Sequence, residues 1–336
     1  MRVALLGYGL AGEVFHAPLI EATEGLDVTA IVTSNPERQA KAKQAFPEAK
    51  IVETAAEAYE HADLAVIATP NRAHVPLALE AIERGIGVVV DKPLAATADD
   101  AAQIVRAAHD AGVLLTVFQN RRWDGDFLTA RRLIHDGALG DVIRFESRFE
   151  RFRPEIKQGW REQGDPAEGG GQLLDLGSHL VDQARVLFGH PLRVYAEVCR
   201  RRPRAEVEDD VFVALHHAHG VRSHLWMSAT APLHGPRLMV SGLRRGFACD
   251  ELDPQEAQLA DGLRPGGDGY GERTAPGRLV NGTGERAIAI DRGSYEEFYA
   301  AVARGETPVD PRDSVAVLRV LEAARRSAET REVEQC

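Results

Sequence analysis

The sequence predicts an α/β protein in which a doubly wound parallel sheet is followed by a second domain built on a mostly antiparallel sheet. Three observations predict it. The chain opens with an apolar run, Val3-Ala4-Leu5-Leu6, that ends in the glycine pattern Gly7-Tyr8-Gly9-Leu10-Ala11-Gly12. Short apolar runs then alternate with amphipathic segments through the first third of the chain, the pattern of parallel strands joined by crossover helices. Beyond about residue 123 the period shortens to two, and strands follow one another with few helices between them.

The first strand hands over to a helix through G-x-G-x-x-G, and each glycine has its own duty. Gly7 permits the tight turn, Gly9 lets the backbone approach phosphates, and Gly12 lets the helix pack closely on the strand. The helix N-terminus behind them offers unpaired N–H groups to a pyrophosphate. Further strands are expected at 27–33, 50–52, 64–69, 87–90 and 113–118, with helices at 12–22, 36–46, 74–84 and 97–111. A sheet wound this way binds its ligands at the strands' carboxyl ends.

After a helix at 126–136, strands are expected at 142–149, 192–198, 207–216, 221–230, 238–241 and 246–249, interrupted by a helix at 175–188. Residues 261–284 are rich in Gly, Pro and Arg, lack periodicity, and read as a long loop, either a lid or an intersubunit contact. Helices at 295–304 and 311–328 close the chain. The expected division is a dinucleotide-binding domain over 1–122, a substrate and dimerisation domain over 123–310, and a helix over 311–336 that returns to the first domain.

Composition excludes several functions. A formal net charge of -11 over 336 residues argues against a nucleic-acid partner. The basic run Arg200-Arg201-Arg202-Pro203-Arg204 is too short to reverse that. Cys199, Cys249 and Cys336 are odd in number and far apart, so neither a disulfide framework nor a zinc site is indicated, and a reducing cytoplasm is expected. Arg2 ahead of an apolar stretch could open a leader peptide, but the phosphate-turn glycines and Glu13 interrupt it. No apolar run approaches the length of a membrane span.

At the end of the second strand, an NAD site usually places a carboxylate on the ribose 2′-hydroxyl. Here stand Thr33-Ser34-Asn35, with Arg38 one turn on. Hydroxyl, amide and guanidinium groups bind a 2′-phosphate where a carboxylate would repel it, so NADP is expected over NAD. Ser34 and Asn35 are equally suited to cap the helix that begins at Pro36. The fourth strand ends in Thr69-Pro70-Asn71, with His74 beyond; these face the expected cofactor, and Asn71 is also suited to cap the helix containing His74.

The fifth strand ends in Asp91-Lys92-Pro93, which sets a lysine beside the expected nicotinamide. Neighbouring strand residues point to opposite faces, so an ion pair between Asp91 and Lys92 is a poor explanation of both. Gly169-Gly170-Gly171 precede Gln172-Leu173-Leu174-Asp175-Leu176-Gly177-Ser178-His179, which allows close approach of backbone to a ligand. On a helix Asp175 and His179 share a face at i and i+4, so the carboxylate would orient the imidazole, with Asp182 on the same polar face. His216, His217, His219 and His224 flank Gly220 in an expected hairpin without acidic or cysteine company, and no metal is expected there.

Taken together, GYGLAG, TPN-x-x-H, DKP and the glycine-led D-x-G-x-H-x-x-D resemble the Gfo/Idh/MocA oxidoreductase family across nearly the whole chain, with Asp91 where that family has Glu. Gln119-Asn120-Arg121-Arg122-Trp123-Asp124 and Leu252-Asp253-Pro254-Gln255-Glu256 resemble its branch of NADP-dependent scyllo-inositol dehydrogenases. The resemblance implies a Rossmann domain, then an α/β domain whose large open mostly antiparallel sheet commonly forms a homodimer or higher homo-oligomer interface. It implies that Lys92, Asp175 and His179 occupy catalytic positions. With the motifs, it makes Gly7, Tyr8, Gly9, Leu10, Gly12, Ser34, Asn35, Arg38, Thr69, Pro70, Asn71, His74, Asp91, Lys92 and Gln119 the expected cofactor contacts. Asn120, Arg121, Trp123 and Trp160 are the expected substrate contacts, since amide and guanidinium groups bind hydroxyls and an indole face suits a sugar ring. The expected activity is NADP-preferring oxidation of a secondary hydroxyl of a cyclic polyol or sugar to a ketone. The rival is a non-catalytic NADP-binding sensor on the same fold, which would dispense with the lysine or histidine; this chain has both.

Overall fold

The computed structural model describes residues 1–156 and 170–336. Its first part is a six-stranded parallel sheet of β1 (Arg2–Leu6), β2 (Asp27–Val32), β3 (Lys50–Val52), β4 (Leu64–Ile67), β5 (Gly87–Asp91) and β6 (Leu115–Phe118), in the order β3-β2-β1-β4-β5-β6. The order reverses between β1 and β4, which opens a crevice at their carboxyl ends. β4 and β6 are buried at every position, and β1 at all but Arg2, because helices cover both faces. The expected first helix begins with a widened π turn, Ala11–His16, before Ala17–Glu21. A short helix, Ala55–Tyr59, held by a capping box between Thr54 and Glu57, was not evident in the sequence pattern because it is a single turn and a half.

The second part is a nine-stranded sheet. Its strands are β7 (Val142–Glu150), β8 (Arg193–Cys199), β9 (Asp210–His216), β10 (Arg222–Ser228), β11 (Leu238–Gly242), β12 (Gly246–Cys249), β13 (Gly277–Asn281), β14 (Gly284–Ile288) and β15 (Glu334–Gln335). They lie in the order β14-β13-β12-β11-β7-β10-β9-β8-β15, antiparallel throughout except for β7 beside β10. The long loop expected over 261–284 is therefore shorter. Its last residues form the edge hairpin of β13 and β14, turned by the Asn281 side chain, which accepts from the Thr283 and Gly284 N–H groups. Charges at Arg278, Glu285 and Arg286 guard that edge and hid its strand pattern.

The helix Gly177–Phe188 covers the inner face of this sheet. The helix Pro311–Thr330 packs on Ala98–Ala111 in the first part, and also on β8 and Gly177–Phe188 in the second, so it binds the two sheets' layers together. Arg122 reinforces the junction, pairing with Asp182 at 2.6 Å and Asp313 at 2.9 Å. No helix among the described residues is long and apolar enough to cross a membrane.

Candidate active site

The glycine turn shows which glycines the fold itself requires. Gly7 has φ +98°, and a Cβ there would lie 2.6 Å from the Ala68 carbonyl oxygen; a Cβ on Gly12 would lie 2.0 Å from the Gly7 oxygen. Gly9 differs. A Cβ there would meet nothing nearer than the Arg38 guanidinium at 3.6 Å, so the fold leaves open space above it. Tyr8 is buried between the glycines, and Leu10 is exposed at the mouth. Asn35 caps its helix, accepting from the Arg38 N–H at 3.0 Å, while Ser34 is exposed beside it. The Arg38 guanidinium lies over the glycine turn, beside Gly9, where it can meet an anion.

A second group of polar atoms faces the same crevice. Thr69 Oγ1, both amide atoms of Asn71 and Gln119 Oε1 are buried and have no hydrogen-bond partner among the described residues. Buried polar groups are paired in nearly all proteins, so a cluster left unpaired at the strands' carboxyl ends fits residues made to bind a polar ligand. Asn71 does not cap the following helix, as the sequence allowed. His74 is buried, with Nδ1 2.9 Å from the Pro93 carbonyl oxygen and Nε2 3.0 Å from that of Thr69, so it clamps two strand ends together. Asp91 likewise turns inward: its carboxylate accepts from the Lys92 N–H at 2.8 Å and lies 3.8 Å from His16 Nε2. Burial opposes its ionisation, but His16, Lys92 and His74 outweigh that and hold the carboxyl below its ordinary range.

Lys92 reaches out of β5 to the other half of the molecule. Its ammonium donates to the Asp175 carboxylate at 2.8 Å and to the Asp175 carbonyl oxygen at 2.7 Å. The expected single helix through Asp175 and His179 is broken at Leu176, into Gln172–Asp175 and Gly177–Phe188. Gly177 allows the break to sit tightly on the core, since a Cβ there would meet Leu321 at 3.1 Å and Met227 at 3.3 Å. The carboxylate is thereby directed to Lys92 rather than to the imidazole, whose buried Nδ1 has no partner among the described residues. Gly171 also serves the fold: its φ is +97°, and a Cβ would collide with the Glu208 carboxylate at 2.3 Å. Burial, then the charges of Lys92, Arg121 and Arg237, drive His179 well below its ordinary pKa. The site thus holds a neutral imidazole beside a charged ammonium.

The opposite wall is the turn Asn120–Trp123. Asn120 donates to Glu256 at 3.3 Å, and Arg121 pairs with Glu256 at 2.9 Å and Asp124 at 3.2 Å. The Arg121 guanidinium lies 4.5 Å from the centroid of Phe149, whose ring is 6.4 Å from that of His179. Trp123 is half-buried, and its ring meets Phe298 edge-on at 5.7 Å against the core. Trp160 lies outside the described residues. Glu256, Phe149 and Arg237 were missed as site residues, although Glu256 stands in a motif noted for its resemblance. The signal was weak because they lie far in sequence from what they touch. Among the described residues no cluster of three or more His, Cys, Asp or Glu is placed to hold a metal.

Comparison with known proteins agrees with this layout. Residues 1–119 match the oxidoreductase family with NAD-binding Rossmann fold, and residues 127–247 match the GFO/IDH/MocA C-terminal domain. The chain is 35% identical over 341 residues to the scyllo-inositol 2-dehydrogenase (NADP(+)) IolW of Bacillus subtilis, covering 98% of this chain and 94% of that protein. It is 38% identical to the uncharacterized oxidoreductase YdgJ of Escherichia coli, covering 98% of this chain and 97% of that one. An oxidoreductase structure from Bacillus cereus superposes with a TM-score of 0.89 at 26% identity, covering all (100%) of this chain and 98% of that one. The chain therefore belongs to the Gfo/Idh/MocA family and is an oxidoreductase of the NAD(P)-dependent dehydrogenase type.

Proposed function

We propose that this protein is an NADP-preferring dehydrogenase that reversibly oxidises a secondary hydroxyl of a cyclic polyol or sugar to a ketone. The observation that carries the reading is the Lys92 ammonium seated on Asp175 at 2.8 Å, close to a buried neutral His179, at the carboxyl end of a Rossmann sheet. When bound, the nicotinamide supplies the acceptor for the hydrogen on the reacting carbon. The Gly7–Gly12 turn, Arg38, Thr69, Asn71 and Gln119 would hold the dinucleotide, and the unpaired polar atoms fit that use.

His179 takes the hydroxyl proton, a step its neutral form is ready for, and returns it in the reductive direction. Lys92 donates a hydrogen bond to the same oxygen and stabilises its negative charge as the proton leaves. Asp175 anchors Lys92 in that position. Asn120 and Arg121, positioned by Glu256, meet the ring's other hydroxyls. NADP preference rests on Arg38 above the open Gly9 and on the absence of a carboxylate at the end of β2. IolW, named for scyllo-inositol and NADP, supports the same reading.

A homodimer through the outer face of the nine-stranded sheet is part of this proposal. That face carries the mutually packed rings of Phe212, His224 and Trp226, with Arg148 stacked 3.9 Å over Trp226. The setting is the cytoplasm, consistent with the free cysteines Cys199, Cys249 and Cys336. An absorbance assay of NADPH and NADH formation over inositols, aldoses and sugar acids tests the reading. Absence of turnover across the panel by a protein that binds NADPH would overturn it.

A further inference from the structure

We propose that Arg151 is a recognition site for a carboxylate on the substrate, so that this chain acts on an acidic polyol or sugar in preference to its neutral counterpart. The inference rests on the dehydrogenase reading above and narrows its substrate class.

Arg151 follows directly on β7, where the backbone is pinned: its N–H donates to Ser228 at 2.8 Å and its carbonyl accepts from the Ala231 N–H at 3.1 Å. Strand alternation puts it on the same face as Phe149, whose ring packs beside His179. Its half-buried guanidinium senses Arg121 and Glu256 on one wall of the crevice and Asp175 on the other. Among the described residues it makes no hydrogen bond or ion pair. Its neighbours are differently placed. Lys92 has Asp175, Arg121 has Asp124 and Glu256, and Arg148 has Glu146 and Glu150.

A guanidinium withdrawn from water is costly, and here burial, then Arg153 and Arg121, disfavour its charge, which Glu256 and Asp175 offset only in part. The nicotinamide ring of the oxidised cofactor would add another positive charge to the same crevice. A substrate bearing one negative charge relieves both. The guanidinium fork matches a carboxylate with two parallel N–H bonds, and a carboxylate's single charge matches the Arg151 guanidinium, which has no ion-pair partner among the described residues.

The test uses two pairs that differ only in that charge: quinate with its methyl ester, and glucuronate with its methyl ester. Binding of each to the NADPH-loaded protein is measured by calorimetry, and turnover with NADP by absorbance, in the wild-type protein and in Arg151→Met and Arg151→Lys. The expected result is that at least one acid binds about a hundredfold more tightly than its ester, and that the ratio collapses towards one in Arg151→Met and partly recovers in Arg151→Lys. Esters that bind as well as their acids in both pairs, no binding by either acid, or a preference that survives Arg151→Met would overturn the inference. Arg151-dependent binding of an acid without turnover of any pair would uphold the carboxylate site and overturn the dehydrogenase reading instead.

Discussion

The Lys92 ammonium lies 2.8 Å from the Asp175 carboxylate, joining the end of the fifth parallel strand to a helix more than eighty residues further on. Among the described residues the buried Nδ1 of His179 has no hydrogen-bond partner. In the mechanism we propose, acid–base work is divided between the Lys92 ammonium and the neutral His179.

Lys92→Met removes the cation while keeping much of its length. Turnover should fall by about a thousandfold or more, with NADPH affinity nearly intact. Steady-state kinetics beside fluorescence titration of NADPH checks it; retained turnover would remove Lys92 from the mechanism.

The three glycines of the turn should separate by what they serve. Gly9→Ala should leave the melting temperature almost unchanged but weaken dinucleotide binding, because its Cβ enters open space. Gly7→Ala and Gly12→Ala should each destabilise the fold by about 2 kcal/mol or more, since their Cβ atoms strike backbone at 2.6 and 2.0 Å. Thermal melts with and without NADPH distinguish the two outcomes.

Selectivity for the 2′-phosphate should depend on the end of β2. Ser34→Asp should weaken NADP more than NAD, and Arg38→Ala should cost about tenfold in NADP affinity with a smaller effect on NAD. Equal losses for both cofactors would place the 2′-phosphate elsewhere.

Stability should fall as pH drops from neutrality. Burial lowers His217 from 6.5 to about 4 and also holds His179 well below its ordinary value, so below pH 6.5 the unfolded chain takes up protons that the folded chain refuses. The loss begins as pH falls through 6.5 and ceases below the folded values. Urea midpoints at pH 7 and pH 5 should differ by more in the wild-type protein than in His217→Gln. An equal difference would show that His217 is protonated in the folded state.

Local chemistry made much of this legible. The glycine turn, the strand tips at Thr69 and Lys92, and the helix with His179 each announce themselves within a few residues, because turn sterics and helix period are short-range properties. The β13–β14 hairpin was hidden for a related reason: an edge strand carries charge where a buried strand carries valine, so its alternation was masked.

Sequence alone determined most of the order of strands and helices, the glycine turn and the residue types available for proton transfer. Tertiary structure decided who pairs with whom. The break at Leu176 gave Asp175 to Lys92, His74 was claimed by two backbone carbonyls, and Glu256 was carried across more than a hundred residues to Arg121. A charge finds its partner by distance in the packed chain, and packing, unlike helix period or turn geometry, is not a local property of the residues that experience it.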